Sequence, residues 1–477
     1  MTDPVTSSPG SYSAHSRAIT AGAFAAIVAL LMAISLADHG FTGDVLMDLN
    51  IGQWILVHGH VPLHNHFTQA LAGRPFSDTE WAFSLYVAWV YQWGGRLAVY
   101  ASLIPFLVGV GAFIGGWLSR WAGWRGTLLA VGAGLGLMIT SNPRPQLFSY
   151  VTFALGLWAV LQARRHHWGA LWIFLAIVPI WTNVHSSVVL APALLLNEAL
   201  WGQGRYRWQM AAATLIAGFL TIWRVGGAAA GGTFMSHVFS VGVVNVIGEW
   251  QSPNFHTGAG VIVLMWVMLA WIILLPFAWR QRHLSAVVWL VIGPLASLWA
   301  IRFTPYMIIG TVAVLGDPVL FLDKLPQSSS KSVRWLAMGV AGLIGSLFIG
   351  TVRQPQFFAP RYPTSALRYL KTHHAHGVVT YQQWRDAAEI AELRPWTNGQ
   401  AQMWATTTWW IPFVRAQTGG RLIVPWIRRY DPTAQWILWP IAGYGPAHDA
   451  IQARGWRLVW RSMLNGNPVG VWEKHPL

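Results

Sequence analysis

Two carboxylates one helical turn apart are the first sign of chemistry in this chain. In Gly43-Asp-Val-Leu-Met-Asp-Leu-Asn-Ile-Gly-Gln-Trp-Ile-Leu, Asp44 and Asp48 stand at i and i+4. On a helix that spacing puts both on one face, within reach of a shared proton or cation. Like charges that close raise one pKa, which suits a general base. The plainer alternative is an acidic helix start facing the positive end of the dipole. Downstream, His58-Gly-His60-Val-Pro-Leu-His64-Asn-His66 gathers four imidazoles in nine residues. Neutral imidazole ligates divalent transition metals, so His64 and His66 are candidate metal ligands, against solvated rings in a Pro/Gly turn.

Basic and amide groups supply the rest. In Asn142-Pro-Arg144-Pro each proline biases the preceding residue toward extended backbone, and the arginine so displayed can clamp a phosphate bidentately. Arg302 offers the same chemistry. For both, the alternative is a guanidinium snorkelling from a helix end. Trp181-Thr-Asn183-Val-His185 brings an amide and an imidazole to a junction between helices, where they either meet a substrate or tie the two ends together. Glu80 and Glu249 complete the candidates, with helix packing or loop capping equally open for Glu249-Trp250. There is no Walker sequence, phosphate-cradling glycine loop, His-Glu-x-x-His or Gly-x-Ser-x-Gly, so nucleotide-driven work within this chain is not expected. With no cysteine, disulfides, thiolate metal sites and a Cys nucleophile are excluded.

The elements that must position these groups are membrane helices. Of 477 residues, 54% are hydrophobic and 10% charged, whereas soluble domains are about a quarter charged. Uncharged stretches of roughly 17 to 21 residues recur, the length that crosses about 30 Å of hydrocarbon. Spans are expected near 18–37, 97–118, 126–140, 146–162, 168–183, 186–200, 208–223, 259–279, 284–300, 304–321 and 335–351, about eleven in all. The segment 81–93 is too short to cross and reads as re-entrant or interfacial. The first span is long, lacks a clear cleavage site and is followed by others, so it reads as a retained anchor.

With the amino terminus inside, one set of loops holds Arg17, Arg120, Arg125, Arg164, Arg165, Arg205, Arg207, Arg280, Arg282, Lys324, Lys331 and Arg334, as the positive-inside rule requires. The net charge of +15 is dispersed among these loops, so membrane topology and not nucleic acid accounts for it. The same orientation gathers Asp44, Asp48, Glu80, Arg144, Asn183, His185, Glu249 and Arg302 on the outer side. Charge at a membrane is expensive, and a set collected at one rim is a site hypothesis. The expected organisation is a disordered tail over 1–16, a transmembrane domain over 17–352 with outer loops 38–96 and 225–258, and an extracytoplasmic α/β domain over 353–477. That domain carries helical patterns at 363–373 and 383–393, β runs at 377–381, 421–425, 435–439 and 456–460, and a terminal hairpin.

The order Asp44, Leu49, Gly52, Trp54-Ile-Leu, Gly59, Pro62, Phe67-Thr68, Gly73-Arg-Pro75 and Glu80-Trp81 resembles the first outer loop of bacterial membrane proteins related to the GT-C glycosyltransferases. Arg144-Pro-Gln146, Trp181-Thr-Asn183-Val-His185, Glu249-Trp250 and a tail opening Tyr362-Pro363 are similar to other landmarks of that group. The resemblance implies a mainly α, GT-C-like transmembrane bundle with a small extracytoplasmic α/β domain, in a multi-pass inner membrane protein whose amino terminus is cytoplasmic and whose tail is periplasmic or extracellular. It implies inverting transfer of a sugar from a polyprenyl-phosphate carrier to an acceptor, with Asp44 as base, the arginines on the carrier phosphate and the tail shaping the acceptor side. No cofactor is fixed by the residues; a divalent cation, Mg or Mn, is compatible. The pattern departs at Asp48, where relatives often have His, at Asn65, where a second acid is common, and in the tail, which has Trp396-Thr-Asn-Gly399 in place of an Asp-Gly-Arg-like segment. Two other readings stay open. A transporter or flippase for a lipid-linked or anionic substrate would carry polar groups at mid-membrane depth, and a catalytically silent scaffold would share the fold alone. Membrane lipids are the expected surroundings; donor sugar, acceptor and oligomeric state are not specified.

Overall fold

A computed structural model describes residues 14–39, 43–70, 72–76, 78–119, 121, 124–139, 141–202, 206–222, 248–317, 362–381, 384, 387–388, 393, 395–397, 409–419, 422–441, 449, 451–464 and 466–475. The predicted span 335–351, the basic residues Arg120, Arg205, Lys324, Lys331 and Arg334, most of the outer loop 225–258 and the boundary near 353 lie outside the described residues.

The chain is helical from its first described residue. Helix α1 (Ala14–His39) packs along α3 (Trp81–Leu118). Small residues bring the two backbones together: a Cβ on Gly111 would stand 2.6 Å from the Ala25 carbonyl, too close for any side chain. Helix α3 is broken at Gly94 and Gly95, the latter at φ 61°, in the left-handed region that glycine enters at little cost. The break separates 81–93 from the longer rod that follows. On the first rod lies α2 (Asp44–His58), and here Gly52 is required, since a Cβ would collide with the Ser84 carbonyl.

The bundle continues through α4 (Trp124–Met138), α5 (Gln146–Ala163), α6 (Gly169–Val184), α7 (Leu190–Trp201) and α8 (Arg207–Ile222). Then come α9 (Gly258–Arg280), wound as a π-helix over Leu269–Leu274, α10 (Leu284–Trp299) and α11 (Thr304–Leu315). Every residue of α11 is buried; it is the central rod, packed on α3, α4, α5 and α10. The predicted spans up to 304–321 each fall on one of these helices. Four helices, Arg17–Ala37, Trp81–Leu118, Gln146–Ala163 and Gly258–Arg280, are long and apolar enough to cross a membrane. Shorter apolar helices stand beside them. Exposed Leu215, Phe219, Ile272 and Ile273 on their outer faces, with Trp172, Trp208 and Trp279 also exposed, suit contact with lipid and its interfaces.

Helix α5, 18 residues long, spans about 27 Å and has a different polar cluster at each end. At its carboxyl end Arg164 donates to both oxygens of Glu198, at 2.5 and 3.0 Å, to Asp317 at 2.6 Å and to Ser285 at 3.0 Å. Tyr206 adds a hydrogen bond to Glu198 at 3.0 Å. This cluster joins the ends of α5, α7, α10 and α11.

After α12 (Thr364–Thr372) the tail forms a four-stranded sheet in the order β1-β2-β4-β3, from β1 (Val379–Thr380), β2 (Trp436–Pro440), β3 (Trp456–Leu464) and β4 (Asn467–Lys474). Strands β1 and β2 run parallel with Val379 opposite Ile437, while β2, β4 and β3 are antiparallel. The hairpin turns at Gly466, φ 83°. Helices α13 (Trp410–Gly419) and α14 (Ile423–Tyr430) pack beside it. Over its described residues the β run expected at 421–425 is therefore wrong: Ile423 and Val424 open α14, where they are buried with Trp426 and Ile427 at helical spacing, and residue 421 lies outside the described residues. The tail meets the loop that follows α2 through Gln69 N–H to the Pro395 carbonyl at 3.1 Å and Ala70 N–H to the Trp396 carbonyl at 3.3 Å. Arg96 donates to the Tyr362 hydroxyl at 2.6 Å.

Candidate functional site

At the amino end of α5 four charged side chains from distant stretches of sequence form one chain of contacts. Asp44 Oδ2 lies 2.7 Å from Arg144 Nη2, Arg144 Nη1 lies 2.7 Å from Glu249 Oε2, and Glu249 Oε1 lies 3.8 Å from Arg302 Nη1. Local backbone explains each position. Asp44 is the first residue of α2, after Gly43 at φ 56°. Arg144 sits in the tight turn of Asn142-Pro-Arg-Pro, its N–H bonded to the Asn142 carbonyl at 2.7 Å, and Pro145 opens α5. Glu249 lies in a 3-10 turn over Gly248–Trp250, and Arg302 in another over Ile301–Phe303. The Ile301 N–H reaches the Gln251 carbonyl at 3.0 Å, stitching the two turns together. The Arg302 guanidinium lies 4.1 Å from the centre of the buried Trp250 ring, a cation–π contact that fixes its direction.

Glu80 and His185 border this chain, Glu80 Oε1 standing 3.4 Å from His185 Nε2. Burial pushes the Glu80 carboxyl up to about 8, with Asp78 adding to the rise and Arg302 opposing it. Burial, then the charge of Arg302, holds His185 down to about 3. Both are neutral near pH 7. His185 Nδ1 accepts from the Ser187 N–H at 3.2 Å, which leaves Nε2 to carry the proton and face Glu80. Glu249 is held down to about 2 because the attraction of Arg144 and Arg302 outweighs its burial. Arg144, despite burial, is raised by Asp44 and Glu249. The ion chain thus carries two anions and two cations.

Asn183 is committed on both sides, accepting from Trp81 Nε1 at 2.8 Å and donating to the Pro179 carbonyl at 2.9 Å. It ties α6 to the start of α3. Asp48 is buried at 1% exposure, turned toward α3, where Ser84 Oγ lies 3.1 Å from its Oδ1. Ser84 Oγ also stands 3.3 Å from Asp78 Oδ2, and Asp78 Oδ1 accepts the Glu80 N–H at 2.8 Å. Sequence reasoning missed Asp78 and Ser84. Asp78, two residues before a helix N-cap, carries an Asx-turn signal that could have marked it; a serine within an apolar helical pattern carries none.

His64 and His66 are both exposed. The ring of His66 stacks on Trp54 at 5.4 Å, as does that of His58 at 4.1 Å, and His64 pairs its backbone with Pro75. Among the described residues no group of three or more His, Asp or Glu side chains could hold a metal ion, and the accessible carboxylate of Asp44 already faces a guanidinium. This donor set does not fit a divalent cation. Asn65 is buried and builds its loop, accepting from the N–H groups of Phe67 at 2.9 Å and Thr68 at 3.3 Å and donating to Thr68 Oγ1 at 2.8 Å.

A helical bundle beside a small mixed tail is a fold that this chain shares with proteins of known structure. In particular, the structure is similar to that of the Archaeoglobus fulgidus oligosaccharyltransferase in its apo form, with TM-score 0.51 and 11% identity over 91% of this chain and 72% of that one. It is also similar to the archaeal oligosaccharyltransferase AglB from Archaeoglobus fulgidus in complex with an inhibitory peptide and a dolichol-phosphate, with TM-score 0.54 and 11% identity over 94% of this chain and 73% of that one. No family model and no curated protein matches the chain.

Proposed function

We propose that this chain transfers a sugar from a polyprenyl-phosphate carrier to an acceptor on the outer face of the membrane, with inversion and with Asp44 as general base. The acceptor hydroxyl oxygen attacks the anomeric carbon while its proton passes to Asp44. The bond from that carbon to the phosphate oxygen breaks, and the electron pair leaves with the lipid phosphate, stabilised by Arg144 and Arg302. A phosphate leaving group is already activated, so positioning, a base and fixed positive charge suffice. The observation that carries this reading is the Asp44–Arg144–Glu249–Arg302 chain, a base and two cations in contact. The side chains of Asp44 and Arg144 are 34% and 25% exposed, open to a ligand. The likeness of the fold to an oligosaccharyltransferase seen with dolichol-phosphate supports the donor class.

The division of Arg144 between Asp44 and Glu249 sets an order of events, because an arriving phosphate competes with Asp44 for it. Donor binding thereby frees Asp44 to face the acceptor. Purified protein with polyprenyl-phosphate sugars tests the reading: Asp44→Asn is expected to cut transfer about a thousandfold or more with the folded yield unchanged. Transfer that survives the substitution ends the assignment; donor movement across vesicles without transfer selects the flippase, and inert wild type the scaffold.

The topology that goes with this function has about eleven crossings, a cytoplasmic amino terminus and a tail outside. A chain without cysteine makes single-cysteine labelling clean. Met463→Cys in the tail is expected to react with an impermeant maleimide in intact cells, and Arg165→Cys only after permeabilisation. The reverse pattern overturns the orientation.

A further inference from the structure

Beneath the ion chain lies a group of side chains that the transfer mechanism leaves unused. Asp48 Oδ1, Ser84 Oγ and Asp78 Oδ2 stand in a row at 3.1 and 3.3 Å, with Asp48, Asp78 and Ser84 all buried. A serine hydroxyl has one hydrogen to give, and an ionised carboxylate has none. If both acids were ionised, Ser84 could satisfy only one, and its lone pair would abut the other carboxylate away from water. One added proton resolves the row: a carboxyl O–H donates to Ser84, and Ser84 donates to the remaining carboxylate.

The partners decide where that proton sits. Asp78 Oδ1 already accepts the backbone N–H of Glu80 at 2.8 Å, a bond that favours an anion. Asp48 Oδ2 is buried with no hydrogen-bond partner among the described residues, a costly arrangement for an anion and a tolerable one for an acid. The titratable groups bearing on Asp48 are Glu80, Asp78 and Asp44, all acids, while Arg144 and Arg302 are engaged in the ion chain above. We propose that Asp48 works as a neutral carboxylic acid, the proton-holding end of an Asp48–Ser84–Asp78 relay that fixes α2 on α3 and thereby aims Asp44, one turn earlier, at Arg144. Burial and the neighbouring acids keep the Asp48 carboxyl well above the usual carboxylate range, in agreement. The close seat of Gly52 on the Ser84 carbonyl makes the same contact from the backbone side. Asp48 is then a positioning residue; only the task given to Asp44 rests on the function proposed above.

Infrared spectroscopy of the purified full-length protein at neutral pH reads the proton directly. The wild-type minus Asp48→Asn difference is expected to contain the carbonyl stretch of a protonated carboxyl group. The amide introduced by Asp48→Asn can donate an N–H to Ser84 as the acid does, so this variant should keep transfer within about threefold of wild type with an unchanged pH profile. Asp48→Ala, which cannot donate, should lose about tenfold or more in kcat at nearly constant donor KM, and Ser84→Ala should displace the acid band and lower kcat likewise. A difference spectrum without an acid band overturns the proposal, as does loss of transfer in Asp48→Asn comparable to that in Asp44→Asn. If the wild type transfers nothing, the glycosyltransferase reading fails while the infrared band still decides the state of Asp48.

Discussion

The two ends of α5 carry the same chemistry in opposite circumstances. At the amino end Arg144 divides itself between Asp44 and Glu249, and the three side chains are 25, 34 and 31% exposed. At the other end Arg164 grips Glu198 with two N–H groups and Asp317 with a third, and those carboxylates are 2 and 5% exposed. Geometry of pairing is similar; access differs. A guanidinium whose carboxylate partners are buried is a clamp between helices, while one held by water-accessible carboxylates can exchange them for a ligand. Arginine and acid together therefore do not mark a site until solvent access is known.

Substitutions at the two arginines break or sharpen that contrast. Arg144→Gln is expected to lower transfer about a thousandfold with little change in Tm; a protein that fails to fold would put Arg144 in the same structural class as Arg164. Arg164→Ala should do the converse, costing about 3–5 kcal/mol because the buried carboxylates of Glu198 and Asp317 lose their cation, read as a fall in Tm. Retained Tm in that variant would remove the clamp. A smaller effect is expected at Trp250, whose ring supports Arg302: Trp250→Leu gives up a cation–π contact of about 0.5–2 kcal/mol, a loss of roughly tenfold in transfer without loss of fold.

The smallest effect is a pH dependence. Glu80 rises from 4.5 to about 8 through burial and then Asp78. Between those values the folded state holds a proton that the unfolded chain has lost, so this group's contribution to stability declines as pH rises through the window. Glu249, depressed from 4.5 to about 2, works the other way, its contribution present above 4.5 and lost as pH falls toward 2. Thermal unfolding of Glu80→Gln against pH should show a flatter decline from 4.5 to 8 than wild type. An identical slope would mean that Glu80 is ionised in the folded protein.

Hydropathy and charge placement were enough to locate the helices, because lipid imposes length and polarity on every span. Alternation of spans gathers Asp44, Arg144, Glu249 and Arg302 at one end of the bundle, and these four side chains do meet. Spacing said less about partners. An i,i+4 relation puts Asp48 on the face of Asp44 but does not reveal that Ser84 and Asp78 wait opposite it. Arg164 read as one more basic loop residue and Asp317 fell unremarked within the expected span 304–321, because their pairing joins stretches far apart in sequence. The apolar run Leu422-Ile423-Val424 hid a helix start for a related reason: over so few residues, burial on a helix and on a strand look alike.

The two backbone hydrogen bonds between Gln69–Ala70 and Pro395–Trp396 use peptide groups and not side chains, so no point substitution other than proline removes a donor. They splice the loop that begins with α2 onto the tail like a hinge pin. The seam between that loop and the tail is therefore written in main chain, indifferent to which side chains stand at Gln69, Ala70 and Trp396.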